Sequence, residues 1–243
     1  MRMLRDDLRC IYEIAAKDMR TYYLKPPAIS WGIVFPVAWT LAFYLRSPGD
    51  FEELVPGLIA MTILFSTKAA EAVVINFEMR LGSLERLLLA PVSTGGVLLG
   101  KVLGGFLFGL LMTSAVTAGT VLGLGLRPDL SALIPVAVIS LLVFSSMGAL
   151  FSVGFKEVFE AQTFLNLPRF LMVFLCGVVY PISAMPEGLQ ILSRILPLTY
   201  TVEGLRGAFS TAPASPLLDS IILAGFFVLF IFPAMRILEK RFE

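Results

Sequence analysis

Residues 78 to 93 read Glu-Met-Arg-Leu-Gly-Ser-Leu-Glu-Arg-Leu-Leu-Leu-Ala-Pro-Val-Ser, a short charged stretch between two long apolar segments. Gly82 interrupts the incoming chain. Ser83 offers a hydroxyl that can accept a first-turn N–H, and Pro91 ends the helix that Ser83 opens. The helix so defined has about two turns and cannot hold itself in water. At the water end of two membrane spans it needs a surface to dock on. The plain alternative is a surface loop that happens to be helical.

The rest of the chain supplies the membrane. Of 243 residues, 57% are hydrophobic and 15% charged, with a mean hydropathy of +0.86. Soluble chains run at about 45–50% apolar and about 25% charged. Continuous rather than alternating apolar runs select helices over barrel strands. The net charge of +1 and the absence of His argue against nucleic-acid binding and imidazole chemistry. Cys10 and Cys176 show neither ligand nor redox spacing and read as inert thiols. No metal, catalytic or cofactor constellation is expected. The first 27 residues mix acids and bases with no apolar core, so no cleavable signal peptide is expected.

Residues 1–27 place Leu4, Leu8, Ile11, Ala15 and Tyr22 at near-helical spacing, with Arg2, Arg5, Arg9, Lys17 and Arg20 mostly off that stripe. This predicts an amphipathic helix lying in the membrane interface and ended by Pro26-Pro27. A solvated lead-in helix is the alternative. Six apolar segments come next, about 28–45, 54–75, 97–126, 131–154, 164–184 and 216–236, against the roughly 20 residues needed to cross a bilayer. The expected fold is thus an all-α membrane domain over 28–243 with six spans. Counting Lys and Arg in the loops gives twelve on the side of the N-terminus and four opposite, Arg46, Arg127, Arg194 and Arg206. Both termini and residues 79–93 are therefore expected in the cytosol. Residues 185–215 form the longest outer loop, with a short amphipathic helix over 186–196 and an apolar patch near 200–209, which suit either a segment folded back into the outer membrane face or a plain lid-like loop.

Two features invite a chemical reading. Gly95-Gly96-Val97-Leu98-Leu99-Gly100-Lys101-Val102 mimics a phosphate loop, but Val102 stands where Ser or Thr would hold magnesium and no strand precedes it. Glycines at 96, 100, 104, 105 and 109 instead suit a close helix approach in lipid. Lys68 and Glu71, three residues apart inside the second span, either line a pathway or gate or neutralise each other.

The organising stretch resembles the first cytoplasmic loop of ABC-2 type permeases, the membrane subunits of ATP-binding-cassette exporters. The resemblance rests on Glu78, Gly82, Ser83, Leu84, Glu85, Leu87, Leu88, Pro91, Val92 and Ser93, with Ser83 where the family more often has Thr. A second match covers Tyr180-Pro181-Ile182-Ser183, Met185-Pro186, Leu196-Pro197-Leu198-Thr199-Tyr200, Glu203 and Leu205-Arg206. The resemblance implies a permease dimer, of like or unlike chains, in the cell membrane. It moves drugs, lipids or glycolipids outward, driven by ATP and magnesium on a separate nucleotide-binding subunit. It implies further that 79–93 is the coupling helix and that 185–215 is re-entrant. Glu85 and Arg86 would then touch the ATPase, Leu84, Leu87 and Leu88 would seat the helix, and Glu78 would tie its bend to neighbouring segments. The rival classes are a secondary carrier or channel and a membrane enzyme. The first would favour internal repeats and broken helices at mid-membrane, and neither is evident.

Overall fold

The structure is a computed structural model that describes residues 2–46, 51–88, 93–155, 158–178, 180–209 and 215–242. Every regular element among them is helical. The helices are α1 (Arg2–Asp18), α2 (Pro26–Ile29), α3 (Phe35–Arg46), α4 (Phe51–Arg80), α5 (Ser83–Leu88), α6 (Thr94–Leu124), α7 (Leu130–Gly154), α8 (Val158–Leu175), α9 (Glu187–Arg194), α10 (Pro197–Phe209) and α11 (Pro216–Phe242). Among the described residues three helices are long and apolar enough to cross a membrane, namely Thr94–Leu124, Leu130–Gly154 and Pro216–Lys240. Shorter apolar helical stretches occupy Gly32–Ala42 and Thr163–Leu175.

Several boundaries differ from the sequence expectation, each for a local reason. Pro26-Pro27 does not end the first helix. A π-helical turn over Met19–Tyr23 does, and Pro26 opens α2, where a missing N–H is harmless. A second π-helical turn over Ser30–Val34 joins α2 to α3, so the first apolar segment is a jointed rod. The helix of the second apolar segment outruns 54–75 and continues to Arg80, so Glu78 lies in its last turn. The fifth apolar segment stops at Leu175 instead of 184, because Gly177 turns the chain left-handed at φ +77°. Ser93 caps α6 by accepting the Gly96 N–H at 3.0 Å, and Asp129 caps α7 by accepting that of Ser131 at 2.9 Å.

The core has two ends. Val55, Ile59, Ile63 and Leu64 of α4 meet Val136, Leu141 and Phe144 of α7 and Leu198, Val202 and Leu205 of α10. Residues 187–209, expected as one short helix and an apolar patch, form two helices. Of these α10 buries Pro197 to Thr199, Thr201 and Val202. Gly204 lets it pass so close to α7 that an added Cβ would stand 2.9 Å from a Val136 methyl. At the opposite end, Ile14 of α1, Ile75 of α4, Leu84 of α5, Val97, Leu98 and Val102 of α6, Val153 of α7 and Leu238 of α11 form a second cluster. Lipid is as apolar as these side chains, so close packing and polar links hold the helices together. Ser145 Oγ donates to the Val102 carbonyl at 2.6 Å, and Ser140 and Thr201 hydroxyls pair at 2.9 Å.

Candidate functional site

The second cluster is where the stretch 78–93 is mounted. Gly82 takes φ +66°, which bends the chain back after α4 without a Cβ penalty. The described bond of Ser83 differs from the expected cap: its hydroxyl donates to the Glu78 carbonyl at 3.2 Å, closing the end of α4 instead of the start of α5. Leu84 is 1% exposed and joins the buried cluster built by α1, α4, α6, α7 and α11, with Leu87 half-buried at its edge, while α5 itself packs on α4 and α6. The side chains of Glu85, Arg86 and Leu88, and all of Pro91, lie outside the described residues. So do the side chains of Lys68 and Glu71, whose backbones sit inside α4.

One turn before the bend lies a charge cluster that the sequence reading missed. Lys101, 1% exposed on α6, donates to Asp18 Oδ2 at 2.8 Å and to Glu78 Oε2. Lys17 donates to Glu78 Oε1 and stands 3.0 Å from Asp18 Oδ1, at ion-pair distance but without hydrogen-bond alignment. Two cations thus face two carboxylates and link α1, α4 and α6. An intramembrane lysine alone costs roughly 2.5–3.5 kcal/mol on insertion scales, so the two acids are what make Lys101 tolerable there. Lys17 lies on α1 with its side chain 40% exposed. Burial disfavours its ammonium, but the bond to Glu78 and the Asp18 charge outweigh this and raise its pKa.

The glycine stripe explains how the cluster closes. A Cβ on Gly100 would lie 3.0 Å from Ile14 Cβ, and one on Gly104 3.2 Å from the Tyr23 ring. The neighbour that the stripe admits is α1, and the approach brings Asp18 onto Lys101. Gly109 serves α4 and α7 instead, facing Thr67 and Leu141. The Gly-Lys pair that mimics a phosphate loop is therefore a packing notch beside a buried ion pair. The signal available in sequence was an acid, Asp18, near the end of an amphipathic helix, together with a lysine inside a glycine stripe. At the N-terminal end of α1, Asp7 accepts from the Ser93 N–H and hydroxyl, both at 3.3 Å, and so fastens α1 to the start of α6.

A second buried cation has different surroundings. Arg169 on α8 is 5% exposed, and its Cζ lies 4.8 Å from the Phe65 ring centroid. Its Nη1 donates to Asn166 Oδ1 at 3.1 Å, and its buried Nε has no partner among the described residues.

Comparison with known proteins agrees with this architecture. A family model described as ABC-2 type transporter matches residues 9–210. The inner membrane transport permease YadH of Escherichia coli K12 is 27% identical over 226 residues, covering 89% of this chain and 87% of that one. The putative transport permease ycf38 of Cyanophora paradoxa is 27% identical over 206 residues, 76% of this chain and 69% of that one. The probable multidrug ABC transporter permease YbhS of Escherichia coli K12 is 25% identical over 195 residues, 77% of this chain and 52% of that one. An all-helical membrane protein of this kind is a transport permease. The chain belongs to the ABC-2 type transporter family.

Proposed function

We propose that the chain is the permease subunit of an ABC exporter. Two such chains dimerise, and a separate ATPase subunit carrying ATP and magnesium drives them; this chain holds no cofactor of its own. The spans are α3, α4, α6, α7, α8 and α11. Both termini and α5 face the cytosol, α1 lies in the cytoplasmic interface of the cell membrane, and α9–α10 fold back at the outer face. The cargo is hydrophobic or amphipathic, of drug, lipid or glycolipid type.

The observation that carries the reading is the seating of Leu84, 1% exposed in a buried cluster to which five other helices contribute, directly after the Gly82 bend. A push on α5 passes directly to α4 and α6 through apolar contacts, and through Glu78 in the ion cluster to α1. That is what a transmission element between an ATPase and a membrane pathway requires. Glu85 and Arg86 are the polar groups assigned to the ATPase contact.

The test is to tag the chain, purify it from its native membrane and identify what comes with it. A stoichiometric ATPase subunit is expected, and Glu85→Lys should weaken its retention or its coupling to transport while the membrane domain stays folded. Recovery of the intact chain without any ATPase, together with transport at wild-type rate after Glu85→Lys, would count against the proposal.

A further inference from the structure

Arg169 sits twelve residues into α8, within the apolar stretch Thr163–Leu175. Its guanidinium lies at the edge of a ring cluster in which Phe35 is 4.6 Å from Phe65 and 6.4 Å from Phe170, and Phe65 is 6.3 Å from Phe170. Trp39 extends the cluster to Phe174 at 5.9 Å. One amide oxygen and one ring face meet five N–H donors, and none of the described ion pairs includes Arg169. Other buried or half-buried cations among the described residues are answered within the chain, Lys101 by two carboxylates and Arg206 by the Gly177 carbonyl at 2.8 Å. Arg169 is left with bonding capacity that points among aromatic rings.

Next to it, Phe170 is 40% exposed, Leu167 67% and Phe174 58%, so an apolar face of α8 leads to the buried cation. An apolar chain laid on that face, its head turned inward past the Phe170 ring, would bring an anion to the guanidinium. A planar guanidinium is suited to two-pronged binding of phosphate or carboxylate, and burial strengthens the pairing by lowering the local dielectric.

We propose that Arg169, with Phe35, Phe65 and Phe170, forms a binding position for an anionic amphiphile, a phosphate or carboxylate on an apolar body. This narrows the cargo class and rests on the reading of the chain as a transport subunit. Its test needs no ATPase, so the two can fail separately.

The full chain is reconstituted in phosphatidylcholine nanodiscs and titrated with dodecyl phosphate and with dodecyl maltoside, reading Trp39 fluorescence in a Trp31→Phe background. Dodecyl phosphate should bind at least about tenfold tighter than the neutral head, and Arg169→Gln should abolish that preference. Phosphatidylglycerol in the disc separates two sources of the anion. Competition identifies a lipid headgroup as the occupant and no competition a soluble amphiphile, both within the proposal. Equal affinity for charged and neutral heads, or an unchanged preference after Arg169→Gln, overturns it. Should Arg169→Gln fail to reconstitute, a diazirine-bearing alkyl phosphate is crosslinked to wild type and the adducts mapped. Adducts within residues 164–174 or at Phe35, Trp39 or Phe65 support the site, and adducts confined elsewhere refute it.

Discussion

Lys101 and Arg169 are both cations buried among helices, and the protein treats them in opposite ways. Lys101 meets Asp18 and Glu78 on two other helices, with Lys17 completing a neutral group of four. Arg169 has an amide on its own helix and a ring face. The first arrangement fixes three helices relative to one another at the end that carries α5. Among the described residues the second makes no ion pair with another helix and reaches α4 only through the Phe65 ring. One is a fastening and the other is open for a guest, and the partners present decide which, since the sequence shows only a basic residue in an apolar stretch in both cases.

The fastening gives the largest expected effect. Lys101→Met removes the cation from two buried carboxylates, and breaking a buried pair by deleting one partner costs on the order of 3–5 kcal/mol. The variant should lose thermal stability in detergent or fail to accumulate. The triple change Asp18→Asn, Glu78→Gln, Lys101→Met leaves no buried charge stranded and should recover most of that loss. A stable Lys101→Met single variant would remove the distinction between the two cations.

A smaller effect tests how the fastening is closed. Gly100→Ala places a methyl 3.0 Å from Ile14 Cβ and close to the Ile11 carbonyl, so α1 must back away from α6. Overpacking of this kind costs about 1–3 kcal/mol. Gly123→Ala on the same helix meets nothing within 4 Å and serves as the control. Equal stability of the two variants would mean that α1 does not depend on the glycine stripe.

The range of the interactions decides how much of this is legible in the sequence. The long apolar runs of α6, α7 and α11 and the break at Gly82 are local properties of the sequence, and the structure has them. The π-helical turns near Tyr23 and Trp31 and the early end of α8 at Leu175 depend on local geometry that hydropathy does not carry. The ion cluster is hardest to see, because Lys101 lies 83 residues from Asp18 and 23 from Glu78. No spacing rule joins such positions until the glycine stripe is known to receive α1. The tying role of Glu78 rests in the sequence on resemblance alone, and what the structure adds is its contacts with Lys17 and Lys101.

Lys17 lies between the two extremes and should show it. Its side chain is 40% exposed, so solvent screens the pair and Lys17→Met should cost well under about 1 kcal/mol. Its pKa is raised, which means that its contribution is complete below the unfolded value and is lost as pH rises through the folded one. Stability should therefore show no Lys17 titration until the solution passes 10.5, the ordinary lysine value. A Lys17-dependent melting transition at neutral pH would mean that the ion pairs are not those described.

The smallest effect on the fold belongs to Arg169, and it sharpens the comparison most. Replacing it by Gln forfeits a cation–π contact, worth about 2 kcal/mol when desolvated, and a hydrogen bond of comparable size. The same change removes the cost of an intramembrane charge, roughly 2.5–3.5 kcal/mol on insertion scales. These terms nearly cancel, so the melting temperature should stay within a few degrees of wild type, in contrast to Lys101→Met. A loss as large as that of Lys101→Met would show that Arg169 is held by a strong partner and is a second fastening. Near-neutral stability would leave its charge without a structural purpose, as a position reserved for an anion requires.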